Sequence, residues 1–176
     1  MLINIYTDNP KYEMHRKEYE IVWNTEGQRI IDSFEKIIHL PFTEKEIKLL
    51  INEGKNNSNS SGDNINDIMH FRYNNRCKIG TFLHELSHRI IMEHNLLEKA
   101  KKIYDISDIH EVVDLFLYDV IEDLYGKETA NLRVEYESNF EESVYKDSWV
   151  SALNLTYKER QSRLKKITKV VLDEKE

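Results

Sequence analysis

His84, Glu85 and His88 fall within Thr81–Ile91, TFLHELSHRII, in the pattern HExxH. On a helix at 100° per residue, His84 and His88 lie about 40° apart on one face, so both imidazoles can reach one metal ion. Glu85 stands beside them, one residue around the helix. Two neutral imidazoles suit Zn²⁺, and an adjacent carboxylate can take a proton from a water that the metal polarises. The chemistry open to these residues is zinc-assisted hydrolysis with Glu85 as general base. With 7 histidines in 176 residues, a shuffled chain would contain this pattern only about 0.03 times.

The helix that must carry the motif is amphipathic. With His84 at 0°, Ile79, Phe82, Leu83, Leu86 and Ile90 fall between about 160° and 260°. That stripe belongs in a core, and the histidines opposite it then face a neighbouring element. The competing reading is a pair of histidines packed under that neighbour with no metal. Neither Ser87 nor Arg89 is assigned a catalytic role.

A catalytic zinc site normally has three protein ligands and one open position. His94 would extend the pattern to HExxHxxxxxH, but unbroken helix through the β-branched Ile91 turns it about 120° away from His88. Acids occur instead in HEVVDLFLYDVIEDLYG, His110–Gly126. With Asp119 at 0°, Val112, Leu115, Phe116 and Asp123 lie within about 60° of it. Glu111, Asp114 and Glu122 group between about 220° and 300°, on the wetter side. Asp119 and Asp123 are thus the acids set in an apolar face, where a carboxylate needs a partner that a metal would provide. Asp119 and Asp123 are both candidates for the third ligand at this point, with His94, Glu111 and Glu122 left open.

The His94 spacing is similar to that of the metzincins, which carry glycine at the position of Ile91. HExxH followed by an acid on a second helix, with another acid four residues on, resembles the gluzincin branch of the zincin metallopeptidases, whose downstream pattern is ExxxD. The resemblance covers Ile68–Gly126 and implies Asp119 as third zinc ligand and Asp123 as a group that steadies a histidine. Aspartate stands where that family has glutamate, so the two helices must approach more closely. The pair Tyr125-Gly126 also resembles the aspzincins, with Glu122 at their ligand position. The resemblance further implies a zinc-dependent peptidase acting on a peptide or protein substrate. Its expected fold is α+β, a short antiparallel or mixed sheet against several helices, with IMHFRY as a strand that docks extended peptide. Tyr118, Tyr125 and Tyr136 are the candidates for polarising the carbonyl. The alternatives are a non-catalytic, metal-stabilised or partner-binding module that keeps this core, and a helical interaction protein with no metal.

Length and composition frame these readings. At 176 residues the chain is expected to be one domain, 1–176, and five Gly and two Pro leave long helices uninterrupted. Net charge is −7, with basic residues scattered until Lys158–Lys169. Phosphate-backbone binding needs clustered cations, so no nucleic-acid partner is expected, and the basic tail reads as a solvated helix face. The start MLINIYTDNPKYE lacks a cationic and apolar leader pattern, and no segment reaches membrane-spanning length, so no membrane partner and a cytoplasmic location are expected. The single cysteine, Cys77, permits no internal disulfide and reads as a plain thiol.

Along the chain, residues 2–6 suit a strand, and a helical pattern follows from Asn24-Thr25 to His39, closed by Pro41. Thr43–Asn52 suits either a helix or a strand. GKNNSNSSGDNIN, 54–66, reads as a polar loop. Ile68–Tyr73 alternates as a half-buried strand, with His70 structural on its polar face. The HExxH helix is predicted from Arg76 to Asn95, and a second from a Ser107 cap to Tyr125 with Gly126 as stop. Helical pattern resumes from Glu128, and Tyr145–Leu164 is predicted to cover the core with Trp149 buried.

Overall fold

Leu2–Tyr6 alternates as the sequence predicts, and the strand it forms, β1, buries Ile3 and Ile5. The computed structural model describes residues 1–52, 68–72, 78–140 and 142–170. Helix α1 (Glu13–Ile38) follows β1 and ends at His39, whose φ of 61° is left-handed. Strand β2 (Glu46–Asn52) resolves the ambiguous Thr43–Asn52 segment, with Ile47, Leu49 and Ile51 all buried. Strand β3 (Ile68–Arg72) completes a sheet of order β1-β2-β3. Cys77 and the polar run 54–66 lie outside the described residues, as do the side chains of 68–72, His70 among them.

Both strand pairs are parallel: Ile3 lies opposite Ile47, and Leu49 opposite Met69. The expected antiparallel or mixed sheet is therefore corrected, while the coarser α+β reading stands. The reason is the connection. A parallel pair needs a crossover of a dozen or more residues, and α1 is that crossover between β1 and β2.

The remaining chain is helical: α2 (Lys78–Glu93), α3 (Leu96–Tyr104), α4 (Ile109–Tyr125), α5 (Lys127–Ser138), α6 (Ser143–Leu153) and α7 (Tyr157–Lys169). Asn95, in left-handed conformation at φ 52°, separates α2 from α3, close to the predicted stop. The predicted second helix is α4, with Asp108 rather than Ser107 as its cap: the Asp108 side chain accepts from the His110 backbone N–H. Tyr145–Leu164 is not one helix but parts of α6 and α7. Thr156 and Glu159 form a capping box that starts a new helix there, and Trp149 is buried as expected.

Helix α4 is the hub. Every residue from Val112 to Ile121 is buried, and it packs against α1, α2, α5, α6 and α7. A helix covered all round has no wet side. The α2 stripe of Phe82, Leu83, Leu86 and Ile90 is fully buried in the same core.

Candidate metal centre

Helix α2 presents His84 and His88 on the side away from its apolar stripe, and their Nε2 atoms approach to 3.0 Å. Two ligands of a tetrahedral zinc at about 2.05 Å from the metal are about 3.3 Å apart, so this spacing fits a shared ion. The third member is His110, in the first turn of α4. Ligand nitrogens of His84, His88 and His110 all lie within 4.8 Å of one another. The ring of His110 is 5.5 Å from that of His84 and 5.3 Å from that of His88.

Each flanking contact fixes an imidazole. Asp108 Oδ1 is 3.0 Å from His110 Nδ1, which leaves Nε2 as the nitrogen for a metal. Glu137 Oε1 is 2.8 Å from His84 Nδ1, which directs the Nε2 of that ring towards His88. Glu137 is 1% exposed. Trp149 Nε1 donates to its other oxygen at 2.8 Å, and Arg133 pairs with it from one turn earlier on α5 while donating to Thr81 Oγ1 at 3.1 Å. Burial alone would raise the Glu137 carboxyl, but the charges of His84 and Arg133 and the hydrogen bonds hold it well below the ordinary value.

The same burial acts the other way on the imidazoles. Desolvation, then repulsion from His84 and His110, pushes His88 well below the ordinary histidine value. Desolvation and His84 lower His110 too, against the opposing pull of Asp108. Neutral imidazole is the form that binds a metal, so the donor set fits zinc.

Glu85 is 2% exposed beside this cluster. Tyr145 of α6 lies against it, its ring 4.6 Å from His110 and 6.4 Å from His84. Burial, then the carboxylates of Glu137, Glu142 and Glu85, raises the Tyr145 phenol and keeps it a donor.

The other sequence candidates lie elsewhere. Asp119, 4% exposed, forms a bidentate pair with Arg160, including Nε to Oδ2 at 3.2 Å, and is not brought to the histidines. Asp123 accepts from Ser33 at 2.8 Å and pairs with Lys36 at 2.5 Å. His94 Nε2 is 2.7 Å from the Pro41 carbonyl. Neither Glu111 nor Glu122 belongs to the histidine cluster. Of the tyrosines, Tyr118 donates to Asn131 and Tyr125 to Glu26, and neither ring joins the histidines.

His110, Glu137 and Tyr145 were missed for a physical reason. A search of this helix for acids set in an apolar face passes over His110, which lies about 180° around the helix from Asp119. Glu137 did carry a signal: Ala130, Arg133 and Glu137 follow the i, i+3, i+7 spacing of a core stripe, and they are the buried residues of α5. Charges at core-stripe positions mark a buried polar site. Comparison with family models, with curated proteins and with solved structures gives no match for the chain.

Proposed function

We propose that the protein is a zinc-dependent hydrolase of peptide bonds, with His84, His88 and His110 as ligands and Glu85 as general base. The observation that carries this reading is the convergence of three imidazoles around one point beside a buried glutamate. Three histidines leave a tetrahedral ion one open position, the arrangement of a catalytic rather than a structural site. Zinc held by His84, His88 and His110 would supply a Lewis acid and would bring a bound water towards ionisation near neutral pH.

Glu85 then takes the proton from the attacking water and returns it to the leaving amine. Tyr145 faces the same space and donates to the oxygen on which negative charge develops. Glu137 and Asp108 hold the two outer imidazoles in the tautomer that presents Nε2. Strand β3 is the third strand of the sheet and precedes α2, and its backbone edge suits an extended substrate.

The test is metal analysis with peptide turnover on protein purified without a histidine tag. Wild type is expected to carry or rebind one zinc and to cleave some members of a mixed peptide library. Glu85→Gln is expected to keep the metal and lose hydrolysis by a factor of about 10² or more. Turnover equal to wild type in that variant removes the general-base role. A zinc-loaded wild type that cleaves nothing removes the catalytic reading and leaves a metal-stabilised module.

A further inference from the structure

Beyond Tyr145 the aromatic rings continue. Phe140, in the turn between α5 and α6, stands edge-on to Tyr145 with ring centroids 5.1 Å apart, and Tyr136 of α5 stands edge-on to Phe140 at the same 5.1 Å. Tyr145 in turn lies 4.6 Å from the His110 ring, so three aromatic side chains run outward from the candidate centre in one row. Leu132, one helical turn before Tyr136, extends the row with an apolar side chain that is 56% exposed.

Core packing does not account for this row. The core rings of Phe34, Phe82 and Phe116 are wholly out of water, whereas Tyr136, Phe140 and Tyr145 are each partly exposed and lie outside the hydrophobic core. Arg133, whose guanidinium lies 5.5 Å over the Tyr136 ring, is engaged by Glu137, so its charge is already matched. What the row offers a ligand is apolar contact, and a side chain that covers it removes apolar surface from water on both partners.

We infer that this row is the subsite for an aromatic or large apolar side chain of the substrate, carried by the residue next to the bond to be cleaved. The inference rests on the hydrolase reading for where that bond lies. A substrate carbonyl that accepts from the Tyr145 hydroxyl brings the adjoining residue alongside that ring, and Phe140 and then Tyr136 are the next surfaces its side chain meets. An aromatic side chain suits the row best, because rings set edge to face gain more than their buried area alone. Tyr136, which sequence alone offers for polarising the carbonyl, is assigned instead to the substrate's side chain.

The experiment is calorimetric titration of the full chain with four capped peptides, Gly-Gly-X-Gly-Gly with Phe, Leu, Ala or Lys at X. The zinc-loaded Glu85→Gln protein is used so that binding is read without turnover, beside chelator-treated wild type. The Phe peptide is expected to bind about tenfold more tightly than the Ala and Lys peptides, with Leu between them. Phe140→Ala is expected to bring Phe to within about twofold of Ala, while Phe140→Leu, which keeps an apolar side chain there, retains most of the preference. Leu132→Glu, at an exposed position, is expected to narrow the ratio of Phe to Lys with the thermal midpoint unchanged, which keeps the test open where Phe140→Ala destabilises the fold. Ile21→Ala, at an exposed apolar position on α1, is expected to leave every ratio as it was. Equal affinity for the four peptides overturns the proposal, as does a full Phe preference in folded Phe140→Ala, or an equal loss from Ile21→Ala. The two readings fail separately: zinc binding and hydrolysis without a Phe preference removes the subsite alone, and a Phe preference in protein that takes up no zinc removes the zinc reading alone.

Discussion

At the scale of residues, the sequence displays half of the candidate centre and conceals the other half. HExxH is legible because both its histidines lie within one helical turn, so local spacing alone brings them together. His110 and Glu137 reach the same point from α4 and α5, and the geometry that gathers them is tertiary. Asp119 illustrates the limit of the burial argument: an acid in an apolar face does need a partner, and Arg160, 41 residues on, is that partner. The two assignments separate cleanly by mutation. Asp119→Ala leaves Arg160 charged and buried, so it is expected to cost about 3–5 kcal/mol of stability while zinc per folded molecule stays at the wild-type value. Replacing both partners, Asp119→Leu with Arg160→Met, is expected to recover a good part of that loss. His110→Ala is expected to weaken zinc binding strongly with little change in the metal-free unfolding curve. Urea denaturation beside zinc titration checks both, and loss of zinc in folded Asp119→Ala would return that residue to the ligand set. Asp114 supplies a pH signature. Burial, then the Glu137 charge, raises its carboxyl well above the ordinary value, against the hydrogen bond that Ser148 donates at 2.5 Å. The folded state therefore holds this proton more tightly than the unfolded chain, and the stability tied to it is lost as pH rises from the ordinary carboxylate range through the raised value. Asp114→Asn is expected to match wild type near pH 4 and to be the more stable protein near pH 8. A deficit of constant size at every pH would show that the charge is not what matters there.

Elements were legible where their signals are local. β1, the α2 helix, the stop at Asn95 and the end of α4 before Gly126, at φ 84°, follow from alternation, periodicity and turn chemistry. The direction of strand pairing was not legible, because alternation says which face is buried and nothing about the partner's orientation. The first half of α1, EMHRKEYEIVWN, was also missed: among these residues only Tyr19 is buried, so there is no apolar stripe to read. Within that helix Gly27 yields a prediction that propensity alone gets wrong. Alanine is favoured over glycine in a helix interior by up to about 1 kcal/mol. A Cβ at Gly27, however, would sit 2.9 Å from the Trp23 ring, which is itself edge-on to Phe82 at 5.9 Å. Phe82 is fully buried in α2, two residues before His84, so the Trp23 ring can give way only on its half-buried side. Overpacking of this kind costs about 1–3 kcal/mol and outweighs the propensity gain. Gly27→Ala is expected to lower stability by about 1 kcal/mol in urea denaturation and to weaken zinc binding through the displaced Phe82. A variant more stable than wild type would show that Trp23 relaxes freely.

Across the whole molecule, the candidate centre is where separately packed helices meet. Its imidazoles come from α2 and α4, its supporting carboxylate from α5, and Trp149 and Tyr145 from α6, all joined to the core around α4. An ion at that point ties these helices together and binds only the assembled fold, so its free energy of binding adds to stability. At a free zinc concentration of a thousand times Kd, the gain is about 4 kcal/mol. Chains of this size shift by about 2–4 °C per kcal/mol, which gives a rise in Tm of about 8–16 °C on adding zinc to chelator-treated protein. Magnesium, which prefers oxygen ligands in octahedral geometry, is expected to leave Tm unchanged. Glu85→Gln should retain the full zinc-dependent rise because Glu85 is not a ligand, and His110→Ala should lose most of it. The pattern across those proteins separates a metal held by the three histidines from general salt effects. Superimposable melting curves for metal-free and zinc-loaded wild type would rule out a zinc site coupled to this fold, and with it the role assigned to Glu85.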